Sequence, residues 1–134
     1  DEDGNIRSKE NLFMNGMDVM KFALTEVPLA MEKMYEMTGY SKEDVDLYAY
    51  HQPNKLILDY LSNAMEIPAE KMPVGLQEVG NTASASIPML LTTLHNRGFD
   101  FKSNKNIIAC GFGIGLSLGA VCLTLEESKI ITEY

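Results

Sequence analysis

The chain has 134 residues, 46% of them hydrophobic, which is enough for one packed core and near the commonest size of a single domain. Its 19 acids against 11 Lys and Arg give a formal charge of −8, which argues against nucleic acid, since phosphate binding needs a clustered positive field. No apolar run approaches the ~18 residues of a membrane span and no charged-then-apolar leader opens the chain, so it reads as soluble, unexported and cytoplasmic, with no membrane partner.

Residues 1–10 are polar, with Gly4 and Asn5, and read as a flexible segment ahead of one domain over residues 11–134. Opening on Asp1 rather than Met, the chain reads as a piece of something longer. Leu12 to Met14 reads as a short strand or extended segment. From Met17 to about Met37, Met20, Leu24, Val27, Met31 and Met34 recur at steps of four and three and place one apolar face on a long helix, which Pro28 should bend. Gly39 supplies a stop, and Ser41 to Asp44 a capped turn into a strand, Val45 to Tyr50.

Pro53 suits the first turn of a second helix, with Ile57, Tyr60, Leu61 and Ala64 as its apolar stripe. Pro68 to Met72 is a connector and Pro73 to Val79 an extended run ending at Gly80. The small residues Ala83 to Ser86 lead into a buried helix, Ile87 to Leu94, with Pro88 in an early turn and Gly98 at its end. Asn106 to Cys110 and Leu116 to Leu125 read as strands joined at Gly111-Phe112-Gly113-Ile114-Gly115. This order predicts an α/β fold of layered αβα type, with a mixed, mostly parallel sheet that ends in a hairpin.

The candidate chemistry starts at His51, which follows directly on a strand. In open α/β sheets ligands bind at that carboxyl edge, although a histidine there also serves to cap a helix or to satisfy a buried carbonyl. Asn81 lies between Gly80 and Thr82 in a turn leading to a helix, a place where Asn commonly caps. A neutral imidazole N–H and an amide NH₂ aimed at one oxygen would form an oxyanion site, so the two nitrogens should converge near the glycine hairpin.

The run Gly111 to Gly115 superficially matches a dinucleotide fingerprint, but a strand-like apolar run follows it rather than a helix, so it reads as a tight hairpin. Cys110 and Cys122 fall in apolar, strand-like runs and read as free thiols, with Cys110 inert rather than nucleophilic. Ser84 and Ser86 lack a nucleophile-elbow context. His95 reads as solvated surface at a helix end, and neither histidine has partners at metal-ligand spacing. The nine methionines read as adaptable core filler before they read as an acyl pocket.

The motifs His51-Gln52-Pro53-Asn54, Gly80-Asn81-Thr82-Ala83-Ser84-Ala85-Ser86-Ile87-Pro88 and Gly111 to Gly115, with Phe13-Met14-Asn15-Gly16 at the front, resemble the C-terminal half of a β-ketoacyl-acyl carrier protein synthase III. This is a thiolase-superfamily condensing enzyme. The resemblance implies that His51 and Asn81 promote decarboxylation of malonyl-acyl carrier protein by stabilising the enolate oxygen. The acyl group would come from a coenzyme A thioester onto a cysteine of the N-terminal half, and that half would be a partner of this one. It further implies no permanently bound cofactor, Gly16 and Asn54 along the pantetheine arm of coenzyme A, Phe112 beside the acyl pocket, and a homodimer whose two α/β halves stack as five layers. One half alone should then expose an apolar face.

The sequence departs from the family where Leu56 replaces an Arg implicated in carrier-protein docking, with Lys55 just before it, and where Met17 follows Gly16. These departures keep open a second reading, a non-catalytic acyl- or protein-binding module of the same fold. A third pairs Cys110 with His51 in a free-standing hydrolase.

Overall fold

The computed structural model describes Gly4, Ser8, Glu10, Asn11 and residues 13–125. Most of the expected flexible segment over residues 1–10 therefore lies outside the described residues, as do Leu12 and the last nine residues of the expected domain. Phe13 and Met14 are irregular and exposed. No helix among the described residues is long and apolar enough to cross a membrane.

Helix α1 spans Gly16–Thr38. Asn15 caps its start through Oδ1, which accepts the Asp18 N–H, and Gly39 ends it in the left-handed region, giving its own N–H to the Tyr35 carbonyl. The three-and-four spacing is realised: Ala23, Val27 and Met31 are buried and Met20, Leu24 and Met34 pack beside them. The helix runs unbroken through Pro28. Asp44 Oδ2 then accepts both the N–H and the hydroxyl of Ser41, at 2.8 and 2.7 Å, closing the turn into β1, Leu47–Tyr50.

Helix α2 spans Lys55–Ala64, and Pro53 lies one residue before its cap rather than in its first turn. Asn54 is the cap, its Oδ1 accepting the Ile57 N–H at 2.9 Å. The expected stripe also needs correction. Ile57, Leu58 and Leu61 are buried, whereas Tyr60 is 54% exposed. Residues 57 and 58 straddle the seam, and Leu61 serves both as their i+4 and i+3 neighbour, so the buried face is turned away from Tyr60.

The extended run expected over residues 73–79 ends instead in a single helical turn, α3, Leu76–Val79. Gly75 before it sits against the helix that follows, where a Cβ would meet Leu90 Cδ1 at 3.1 Å. The Gly80 N–H closes the turn on the Leu76 carbonyl. A 3-10 turn, Ala83–Ala85, then feeds α4, Ser86–Asn96, with Pro88 in its first turn and Gly98 at φ +83° beyond its end.

Strands β2, Ile107–Gly113, and β3, Ser117–Leu123, form the hairpin, whose turn is therefore shorter than residues 111–115. The sheet order is β1-β2-β3, with β1 parallel and β3 antiparallel to β2. Alternation along the strands divides the core between two faces. Tyr48, Tyr50, Ile108, Cys110 and Phe112 pack under α1 and α2, and Leu47, Ala49, Ile107 and Ala109 pack under α4. The result is the expected αβα layering. Met31, Met65 and Met72 are core, while Met17 and Met37 are exposed.

Candidate functional site

A cavity of about 930 Å³ lies at the carboxyl ends of β1 and β2, and its wall includes His51, Asn81, Ser86 and Phe112 together with Met14 and Leu118. Exposed apolar side chains, Phe13, Ile114 and Leu116, stand on the same wall. The two residues singled out for an oxyanion therefore open onto one space, bordered by the glycine hairpin.

His51 continues β1 by one rung, its N–H donating to the Cys110 carbonyl at 2.8 Å. Its ring is held on two sides. Nδ1 is 2.6 Å from Ser86 Oγ, and the ring stands edge-to-face on Phe112, centroids 5.5 Å apart at 83°. Burial pushes the imidazole below its ordinary value of 6.5, and a weaker backbone hydrogen bond with Ala83 acts the other way. The net shift favours the neutral ring, the form that offers one N–H and one lone pair.

Asn81 is aimed by its neighbours. Gly80 has φ +66° and ψ −158°, a conformation essentially reserved for glycine, and Ala83 is held at φ +50°. Asn81 Oδ1 accepts the Ala83 N–H at 2.9 Å, the capping role its turn position suggested. Its Nδ2 donates to the Pro53 carbonyl at 3.3 Å, two residues beyond His51. An amide NH₂ has two donors, so that bond leaves one of them unused.

Two further residues belong to the site, and although both fall within the quoted motifs, neither is assigned this role by the sequence. Buried Gln52 donates from Nε2 to the Tyr50 carbonyl and accepts the Gly75 N–H on Oε1, both at 2.9 Å. It ties the strand end carrying His51 to the segment leading to Asn81. Ser86, weighed only as a nucleophile, is 3% exposed and bonded to His51. Its one signal is the run of small residues ahead of a helix.

Gly16 begins α1 and Asn54 caps α2; neither is among the described residues that line the cavity. The Cys110–His51 hydrolase reading fails on geometry. Cys110 is buried, burial pushes its thiol up to about 12, and the ring's side-chain partner is Ser86. Cys122 is a half-buried free thiol, and His95 is exposed. Among the described residues no group of three His, Cys, Asp or Glu comes together as a metal site.

Residues 35–125 match the family described as 3-Oxoacyl-[acyl-carrier-protein (ACP)] synthase III C terminal, a stretch that holds His51, Asn54, Asn81 and Phe112 and leaves Gly16 outside. The chain is 41% identical over 110 residues to a beta-ketoacyl-[acyl-carrier-protein] synthase III of Prochlorococcus marinus, covering 82% of this chain and 32% of the relative. It is 38% identical over 124 residues to the Clostridium perfringens enzyme of the same name, covering 92% and 38%. A crystal structure of a 3-oxoacyl-(acyl-carrier-protein) synthase III superposes with a TM-score of 0.86 at 36% identity, covering 92% of this chain and 36% of that one. A synthase III from Thermus thermophilus gives 0.80 at 34%, covering 87% and 36%. The chain spans about a third of the length of the curated relatives it matches.

Proposed function

Because the chain belongs to the family of 3-oxoacyl-acyl carrier protein synthase III C-terminal domains, we propose that it supplies the enolate-stabilising half of a decarboxylating, thioester-condensing site. The observation that carries the proposal is the opening of His51 and of Asn81 onto one cavity. In the proposed step the carbon–carbon bond to the malonyl carboxylate breaks and leaves as CO₂. Its electron pair forms an enolate, whose oxygen takes one hydrogen bond from the imidazole and one from the Asn81 amide. The enolate carbon then attacks the acyl thioester, and the thiolate leaves.

No described cysteine fits that thiolate, since Cys110 is buried with a raised pKa and Cys122 is not on the wall, so the acyl group is proposed to arrive on a cysteine from outside the described residues. Coenzyme A thioester and acyl carrier protein are the proposed substrates, with no cofactor held between turnovers. Gly16 and Asn54 are proposed to follow the pantetheine arm and Phe112 to border the acyl chain. A cytoplasmic homodimer serving acyl-chain biosynthesis completes the proposal.

Replacing His51 or Asn81 by Ala in the intact condensing enzyme should lower CO₂ release from a malonyl thioester by about 10²–10³ while the cysteine is still acylated. Decarboxylation at the unchanged rate in both variants would overturn the proposal and leave an acyl- or protein-binding module of the same fold.

A further inference from the structure

Ser86 opens α4 with its hydroxyl 2.6 Å from Nδ1 of His51, and it is almost completely buried. A neutral imidazole protonated on Nδ1 presents only a lone pair on Nε2, whereas one protonated on Nε2 presents a donor there. The direction of the Ser86 bond therefore decides, together with the backbone hydrogen bond that the ring makes with cavity-lining Ala83, what the ring can do in the cavity. If Nδ1–H donated to Oγ, the buried Ser86 hydroxyl proton would need a second acceptor. Among the described residues no other hydrogen bond of that side chain is seen. Donation from Oγ–H to Nδ1 satisfies both groups with one bond and avoids the penalty of a buried unsatisfied donor.

We infer that Ser86 is a positioning residue: its hydroxyl donates to Nδ1, which confines the ring proton to Nε2 and turns the imidazole into a hydrogen-bond donor toward the cavity. Phe112 assists by fixing the plane of the ring from the side. The inference rests on the proposed function only in what the N–H is for, since an enolate oxygen needs a donor and gains nothing from a lone pair. The tautomer itself is a property of the free protein.

The test is a long-range ¹H–¹⁵N spectrum of the histidine-labelled intact protein above neutral pH, with His51→Gln used to assign the His51 ring. The expected result is a protonated Nε2 and a bare Nδ1 on His51, a mixture of tautomers in Ser86→Ala, and the original tautomer in Ser86→Thr, which keeps the hydroxyl. Ser86→Ala should also lower kcat for decarboxylation by about 10- to 100-fold, by analogy with the loss of partners that orient metal-bound histidines, with KM nearly unchanged.

A proton on Nδ1 in the unsubstituted protein, or an unchanged tautomer in Ser86→Ala, overturns the inference. If a variant does not fold, the unsubstituted spectrum decides alone. Because the spectrum needs no turnover, a protein that fails to decarboxylate but shows Nε2–H rejects the condensing reading and keeps this one.

Discussion

The Gly75 N–H and the Gln52 side chain share a buried hydrogen bond of 2.9 Å, which joins the two segments of chain that carry the candidate site. The other end of the Gln52 amide is held by the Tyr50 carbonyl, so both ends of the side chain are engaged.

Gln52→Leu should strand the Gly75 N–H and the Tyr50 carbonyl in the interior, at a cost of about 1–3 kcal/mol per unsatisfied group. Urea unfolding should show a lower midpoint at constant slope. A midpoint equal to that of the unsubstituted protein would mean that the bridge carries no stability.

Gly80→Ala forces a Cβ onto φ +66° and ψ −158°, where the backbone penalty is about 1–3 kcal/mol. No neighbour crowds the added methyl, so the penalty is conformational rather than steric. Decarboxylation should fall along with stability, because relief of the strain rotates Asn81 away from Pro53. Loss of stability with full activity would detach Gly80 from the site.

Burial depresses His51 below 6.5, so the unfolded chain binds its proton first as pH falls. The stability linked to this group is complete above pH 6.5 and is lost on acidification from there through the folded pKa. Unfolding free energies measured across that window should decline more steeply with acid than those of His51→Gln. Activity that depends on the neutral ring should likewise persist below the pH at which a free histidine is half protonated. Equal acid slopes for the two proteins would contradict the burial of the ring.

Iodoacetamide at neutral pH should label Cys122 before Cys110, whose thiol is buried and pushed up to about 12. Mass spectrometry of peptides should find Cys110 modified only on addition of denaturant. Rapid labelling of native Cys110 would revive it as a nucleophile.

Long-period features were legible in the sequence. Helix α1 announced itself because Met20, Leu24, Val27, Met31 and Met34 repeat over several turns, and β1 and the hairpin because apolar runs abut turn residues. Features shorter than a period were not. Leu76–Val79 is one turn and leaves no repeat to read, and the stripe of α2 was rotated toward Tyr60 because Ile57 and Leu58 are adjacent and equally apolar.

Within the site, His51 and Asn81 were visible because each sits at a turn after a structured run. Gln52 and Ser86 were not, because their roles exist only through partners 23 and 35 residues distant. A one-dimensional pattern carries no sign of such pairs.

On the side of the sheet that faces α4, the central residues are Ala49 and Ala109, with Gly111 beyond them, whereas the opposite face carries Tyr48, Tyr50 and Phe112. The sheet is lopsided in volume, and α4 settles onto its thin side, where Ile87 comes within 4.0 Å of the position a Gly111 Cβ would occupy. The reach of the Ser86 hydroxyl to His51 therefore depends on how small the side chains beneath α4 are. Bulk added at Ala109 would lift the helix like a shim under a hinge, and the ring that Ser86 reaches on that same side of the sheet would lose its partner.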